Sequence, residues 1–208
     1  MARPNIMAVV PVAAVTNDIC LSQTVASAIA LTLNGAKAGT TLDFSRKLDL
    51  ASAGNLSGVN FTIVGTDANG RAITEVKAGP SGNTVQSVNF YLTITSITAS
   101  ATMGGVSMTV GTSDDLATQI YPLNFYDQIA AQICVELNAG TATFSVQETY
   151  DEVDGVADEV WIIPTALSAK SATVVAPLDI HARACRLITT AFSAPTLSFI
   201  VMQSGCNV

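Results

Sequence analysis

Glu148, Asp151, Glu152, Asp154, Asp158 and Glu159 place six carboxylates within twelve residues. Clustered carboxylates are the material of a calcium site, because a hard cation takes several oxygen ligands. A calcium-binding loop also needs an Asp-x-Asp-x register before its glycine and a Glu at a fixed distance after it, and Asp154-Gly155 has neither. The stretch therefore reads as a solvated acidic loop, with a divalent ion on Asp151, Glu152, Asp154 and Asp158 as the alternative. His181 is the sole histidine and lies near Asp179, Arg183 and Cys185. A cysteine nucleophile needs a base or cation beside its thiolate. On a strand, residues four apart share a face but stand about 13 Å apart at ~3.3 Å per residue, so His181 is expected to be packed or at an interface.

Cys20, Cys134, Cys185 and Cys206 are widely spread with no Cys-x-x-Cys pair, which predicts free thiols in a reducing cytoplasm and neither zinc nor a disulfide scaffold. Gly65-Thr66-Asp67-Ala68-Asn69-Gly70 and Gly79-Pro80-Ser81-Gly82 lack the Gly-Lys-Ser/Thr ending of a phosphate loop; they read as turns. One histidine and no Gly-x-Ser-x-Gly elbow leave no Ser/His/Asp set. The expectation is a protein that is not an enzyme and has no cofactor.

The chain that must position these residues has 208 of them, 49% hydrophobic and 12% charged, with a net charge of −7. Such a composition folds, since disorder needs few apolar residues and many charges. The acidic balance argues against nucleic acid, which is bound by clustered Lys and Arg. No run reaches the roughly 18 apolar residues of a spanning helix, so no membrane partner is expected. Met1–Val15 carries Arg3 ahead of the apolar Ile6–Val15, but Pro4 and Pro11 interrupt a signal-peptide pattern. It reads as an extended arm whose contacts would be Arg3, Pro4, Ile6, Val9, Val10 and Pro11.

Twenty-four threonines, with Val, Ile and Gly-containing breaks, suit pleated half-buried strands. Period-two alternation marks Ile29–Leu33, Leu48–Leu50, Val59–Ile63, Phe90–Ile94 and Val106–Val110, with a slip of phase at Ile97 that predicts a bulge or bend. Asn34-Gly35 is expected to end a strand at positive φ. Asp67–Gly70 predicts a hairpin, because Asn-Gly fits the mirror-image turns that strand twist prefers. Asn138-Ala139-Gly140 predicts a second hairpin between Ile129–Leu137 and Ala142–Val146. Trp161–Ile163, Ala172–Ala176, Arg183–Thr189 and Leu197–Met202 supply later strands, with the Trp161 ring expected in the core. Ser22–Ala30 and Leu116–Gln119 contain helix formers but are short. The fold class is all-β: two small antiparallel β-sandwich or barrel-like domains with an extended N-terminal arm. The arm is 1–28, the first domain 29–112, a linker 113–127 and the second domain 128–208. Units this small and weakly charged are expected to form homo-oligomers, since edge strands without Lys or Pro guards pair with other copies.

Leu48–Gly111 reads Ser-Ala-Gly-Asn, Ser-Gly, Phe-Thr-Ile, Gly-Thr-Asp, Asn-Gly, then Thr-Glu and Gly-Pro. Later come Phe144–Asp151, an acidic loop, Trp161 and a terminal strand ending at Gln203. Over roughly residues 29–203 this pattern resembles structural proteins of tailed bacteriophages. The resemblance implies a virion component assembled in the cytoplasm of an infected bacterium, with the major capsid protein or other virion proteins as partners. A capsid decoration or cement protein is its first reading. A neck or tail component, such as a collar, adaptor or fibre-attachment protein, is the second; outside that class, a carbohydrate-binding adhesin module on the same β scaffold is the further alternative.

Overall fold

The computed structural model describes residues 4–124, 131–153, 155 and 157–203. Its strands are β1 (Asn5–Val9), β2 (Cys20–Gln23), β3 (Ser45–Ala51), β4 (Asn60–Thr66), β5 (Ala72–Ala78), β6 (Thr84–Gln86), β7 (Thr93–Ala99), β8 (Met108–Ala117), β9 (Tyr121–Pro122), β10 (Gln132–Thr149), β11 (Val174–Pro177) and β12 (Ala184–Met202). Among the described residues the only helical turn is a 3-10 turn at Thr165–Leu167. The fold is all-β. Two compact units divide the chain: Met1–Ala13 with Ala117–Val208, and Ala14–Leu116.

The expected boundaries are therefore displaced. Residues 5–9 of the expected arm form β1, which pairs along Leu197–Val201 of β12 in the same unit. A segment with no helix former's spacing and a buried apolar residue at Val9 finds its backbone partners on that strand. Residues 14–28 of the expected arm belong to the other unit, where Ile19 and Cys20 are buried. The expected linker at 113–127 is in large part strand, since β8 runs to Ala117 and β9 follows; Phe125, Tyr126 and Asp127 lie outside the described residues.

In the unit holding both termini, β10 and β12 form a long antiparallel ribbon from Gln132↔Met202 to Thr149↔Ala184. Asn138-Ala139-Gly140 does not reverse the chain as expected. Gly140 (φ +69°) instead lies beside Ala194 (φ +42°), with register shifts on both sides of Ala139. Two left-handed residues facing each other bend both strands together, and the ladder resumes at Thr141↔Ser193. A Cβ on Gly140 would overlap the Ala194 carbonyl, so glycine is needed there for space as well as for φ. The same pairing merges the two expected terminal strands into β12, with Pro195 at the irregular step, where it has no ladder bond to donate. Ile133, Val135, Phe144, Val146, Leu187, Leu197 and Phe199 are fully buried, and Tyr121 meets Phe199 edge-on at 5.8 Å.

In the other unit β3 lies between β8 and β6, β2 flanks β8, and a second sheet runs β5-β4-β7. The chain passes from one sheet to the other at Tyr91-Leu92. Tyr91 exchanges two 2.8 Å backbone bonds with Arg46, and Leu92 then donates to the Thr66 carbonyl at 2.7 Å. This crossing makes Tyr91 the inward residue, whereas Phe90 and Leu92, the expected pair, are half-buried. Thr95 is the extra residue of a bulge opposite Val64/Gly65, so Ile94 and Ile97 both face inward although three apart. The phase slip predicted that bulge. The expected first strand contributes only an Ala30↔Thr98 bridge. Gly35 serves there because the Asp18 backbone lies against it, with no positive φ involved.

β4 and β5 pair from Thr66↔Ala72 to Asn60↔Ala78, as Asp67–Gly70 predicted. The turn differs in type. Gly70 N–H donates to the Asp67 carbonyl at 3.1 Å, Asp67 N–H donates to the Arg71 carbonyl at 3.0 Å, and Gly70 alone has φ +77°. That is a type I turn closed by a left-handed glycine, with Asp at its first position and Gly at its last. The Asp67 carboxylate accepts from the Asn69 and Arg71 backbones and from the Arg71 side chain, all at 2.8–2.9 Å.

Candidate functional site

The acidic stretch is two different things. Glu148 belongs to β10 and is buried; its carboxylate accepts from the Tyr150 hydroxyl at 3.2 Å and the Asp179 backbone N–H at 3.1 Å. Asp151 accepts from the Val160 backbone N–H at 2.6 Å, which closes the loop between them. Glu152 and Asp158 are exposed, Glu152 standing 3.9 Å from Arg183, and Asp154 lies outside the described residues. Among the described residues no three His, Cys, Asp or Glu side chains converge to hold a metal ion.

Around this closure the surface is apolar. Ile162 exchanges two 2.9 Å backbone bonds with Glu148, so continuing that antiparallel register sets Val160 opposite Tyr150. Ile180 follows Asp179, whose N–H bonds the same carboxylate. Tyr150, Val160, Ile162 and Ile180 are all exposed, and so are Asp151, Glu152 and Asp158 of the same loop. Burial, with the Glu148 carboxylate beside it, raises the Tyr150 phenol above its ordinary value, so the hydroxyl stays a neutral donor. Trp161 is half-buried, which corrects its expected place in the core. The Arg186 guanidinium lies 4.1 Å from its ring centre and is oriented by a 2.7 Å bond to Gln147. Sequence reading missed this stack, because Trp161 and Arg186 meet only through the β10–β12 register.

His181 is 70% exposed, not packed, in a turn closed by the Ala182 N–H on the Asp179 carbonyl. Its Nδ1 is 3.1 Å from Asp179 Oδ1. The His181 backbone N–H, with the ring beside it, holds the Asp179 carboxyl below the usual carboxylate range. Cys185 is fully buried, and burial followed by the Glu148 charge pushes its thiol far up. Burial lifts Cys20 to about 12. Thiols so placed stay protonated at neutral pH and are poor nucleophiles; Cys20, Cys134 and Cys185 are free, and Cys206 lies outside the described residues. Of the arm residues, Val9 and Pro11 are buried, Pro4, Ile6 and Val10 are exposed, and Arg3 is outside the described residues. In the Ala14–Leu116 unit, Ser22, Ser52, Asn83, Thr84, Ser107 and Thr109 line an open depression of about 450 Å³. Its Ser52 hydroxyl already donates to the Ser107 carbonyl at 2.8 Å. No ionisable group lines it, so it has nothing to activate a hydroxyl.

No family model matches the chain, and no curated protein or solved structure does so.

Proposed function

We propose that this chain is a non-enzymatic structural protein of a tailed-bacteriophage virion. Within that class we read it as a capsid decoration or cement protein that stabilises the head by binding copies of itself and the major capsid protein. The observation that supports this reading best is the exposure of Tyr150, Val160, Ile162 and Ile180 on segments tied to Glu148 by backbone and carboxylate bonds. Apolar surface held in place by backbone pairing loses little entropy on docking, which favours a durable contact. Of the ionisable groups, Glu148 clasps a loop and Cys185 is sealed, while His181 faces solvent.

Quantitative mass spectrometry of purified particles, made by the phage whose genome encodes the chain, tests the reading. A copy number comparable with the major capsid protein supports the head. A copy number of one small ring supports the neck or tail instead. Absence from the particle overturns the virion reading altogether. Tyr150 and Trp161 at the surface favour one further reading, a carbohydrate-binding module, since sugars stack on exposed rings. Arg186 already covers one face of Trp161, and glycan-array binding abolished by Tyr150→Ala would be needed to prefer it.

A further inference from the structure

β5 is the edge strand of the β5-β4-β7 sheet. Its register on β4 is unbroken over seven pairs. The hydrogen-bond phase is fixed at both ends, where Asp67 N–H bonds the Arg71 carbonyl and Gly79 N–H bonds the Val59 carbonyl. Antiparallel ladders alternate bonded and non-bonded pairs. Residues 73, 75 and 77 therefore direct their backbone groups to β4, and Ala72, Thr74, Val76 and Ala78 direct theirs outward. Val76 is among the most exposed large apolar residues, at 63%, and Glu75 holds the exposed Val88 beside the strand by accepting its N–H at 2.8 Å.

This edge is complementary to itself. If a second copy pairs antiparallel about Val76, the outward-directed residues meet outward-directed residues: Val76 faces Val76, and Thr74 faces Ala78. The same register sets Glu75 against Lys77 twice, once on each side of the dyad. Neighbouring registers fail on chemistry. Centring on Thr74 opposes Arg71 to Lys77 and Ile73 to Glu75, while centring on Ala78 puts Pro80, which has no N–H, against Val76. Centring on Glu75 or on Lys77 sets that charge against its own copy, and centring on Ile73 puts Val76 against Gly70 of the turn. Lys77 would guard the edge against a neutral strand, but toward its own copy it meets a carboxylate that bonds to Val88 and Asn89 already hold in position.

We infer that two copies of this chain associate through β5, edge to edge about Val76, joining two β5-β4-β7 sheets into one. The inference rests on the self-association in the functional reading and names the surface that carries it. Sedimentation velocity of the full chain over a wide concentration range tests it. The native chain should dimerise. Val76→Pro removes an N–H that points away from β4, so it should leave the β4–β5 pairing intact and abolish the dimer. Lys77→Glu replaces two attractive cross-strand pairs by two repulsive ones and should weaken the dimer about tenfold or more. Val76→Cys should give a covalent dimer on mild oxidation, because facing residues of a bonded pair lie ~5.5 Å apart at Cα, within disulfide reach. If Val76→Pro does not fold, the Lys77→Glu and Val76→Cys results decide. A native oligomer unmoved by Lys77→Glu and not trapped by Val76→Cys overturns this interface while self-association stands. A chain that stays monomeric throughout overturns both.

Discussion

Replacing Gly70 tests whether the β4–β5 hairpin is held by its left-handed residue. Gly70 has φ +77°, and a Cβ built on it meets nothing within 4 Å. A side chain at this position thus pays no packing penalty, and any loss of stability is the backbone cost of holding an L-residue at positive φ. That cost is about 1–2 kcal/mol for an ordinary residue, with β-branched valine at about 2–3 kcal/mol. Asparagine tolerates the left-handed region and should lose less than about 1 kcal/mol. Gly70→Val should lower the melting temperature by roughly 4–12 °C at ~2–4 °C per kcal/mol for a chain of this size. The same ordering, Val worse than Ala worse than Asn, should appear in urea midpoints. Equal losses for Asn and Val would mean that handedness is not the cause. No loss for either would mean that the turn is drawn wrongly. Gly140→Ala is the contrasting case, since φ +69° there coincides with overlap on the Ala194 carbonyl; it should cost more than Gly70→Ala, because the bend of both strands must open to admit a methyl group.

Asp43→Asn leaves the Arg46 guanidinium, 2% exposed and bonded to Asp43 at 2.9 and 2.7 Å, without its counter-charge. The Ser113 carbonyl at 3.0 Å remains as a neutral acceptor, and unfolding in urea should show a loss of about 2–4 kcal/mol. Asp49→Asn should have the opposite sign. Burial, then the Asp115 and Asp114 charges, raise the Asp49 carboxyl, against the Gln86 amide and Lys47, which lower it. A carboxyl raised in the folded state disfavours folding above its folded pKa and ceases to do so as the pH falls through that value. The variant should therefore be slightly more stable than the native chain at pH 7, by less than about 1 kcal/mol, and lose that advantage in the acid range. Parallel stability curves down to pH 3 would contradict this.

What was legible in the sequence was local. Asp67-Ala68-Asn69-Gly70 identifies a hairpin because its turn bonds lie within five residues, and the Asp67 carboxylate accepts three of them. The slip at Ile97 identifies a bulge because side-chain alternation is a property of one strand. Asn138-Ala139-Gly140 misleads for the complementary reason. A left-handed glycine terminates a strand if nothing lies across from it, but continues one if the partner bends with it, and that partner is Ala194-Pro195, over fifty residues away. The arm was misread likewise: an edge position on β12 for Asn5–Val9 exists only after residues 184–202 have formed one strand. His181 and Trp161 were placed by assuming strand neighbours, and a turn at Asp179–Ala182 and a cation across β10 intervene.

The ionisable residues make one pattern across both units. Asp67 with Arg71 closes a turn, Asp43 with Arg46 anchors the crossing at Tyr91, Lys47 reaches Asp115 at 3.0 Å, Asp18 accepts from the Thr112 backbone and hydroxyl at 2.9 and 2.8 Å, and Glu75 and Glu148 each tie down a loop. In a chain only 12% charged, this commits many of its charges to backbone and side-chain clasps. A carboxylate that accepts backbone N–H bonds is held in place by them, which suits it to fixing a loop. The consequence reaches the surface: with polar groups drawn into clasps, valine, isoleucine and tyrosine are left facing outward at β5 and around Glu148. Those are the places where burial against another chain removes apolar area from water without unpairing any clasp, and so where association is least opposed.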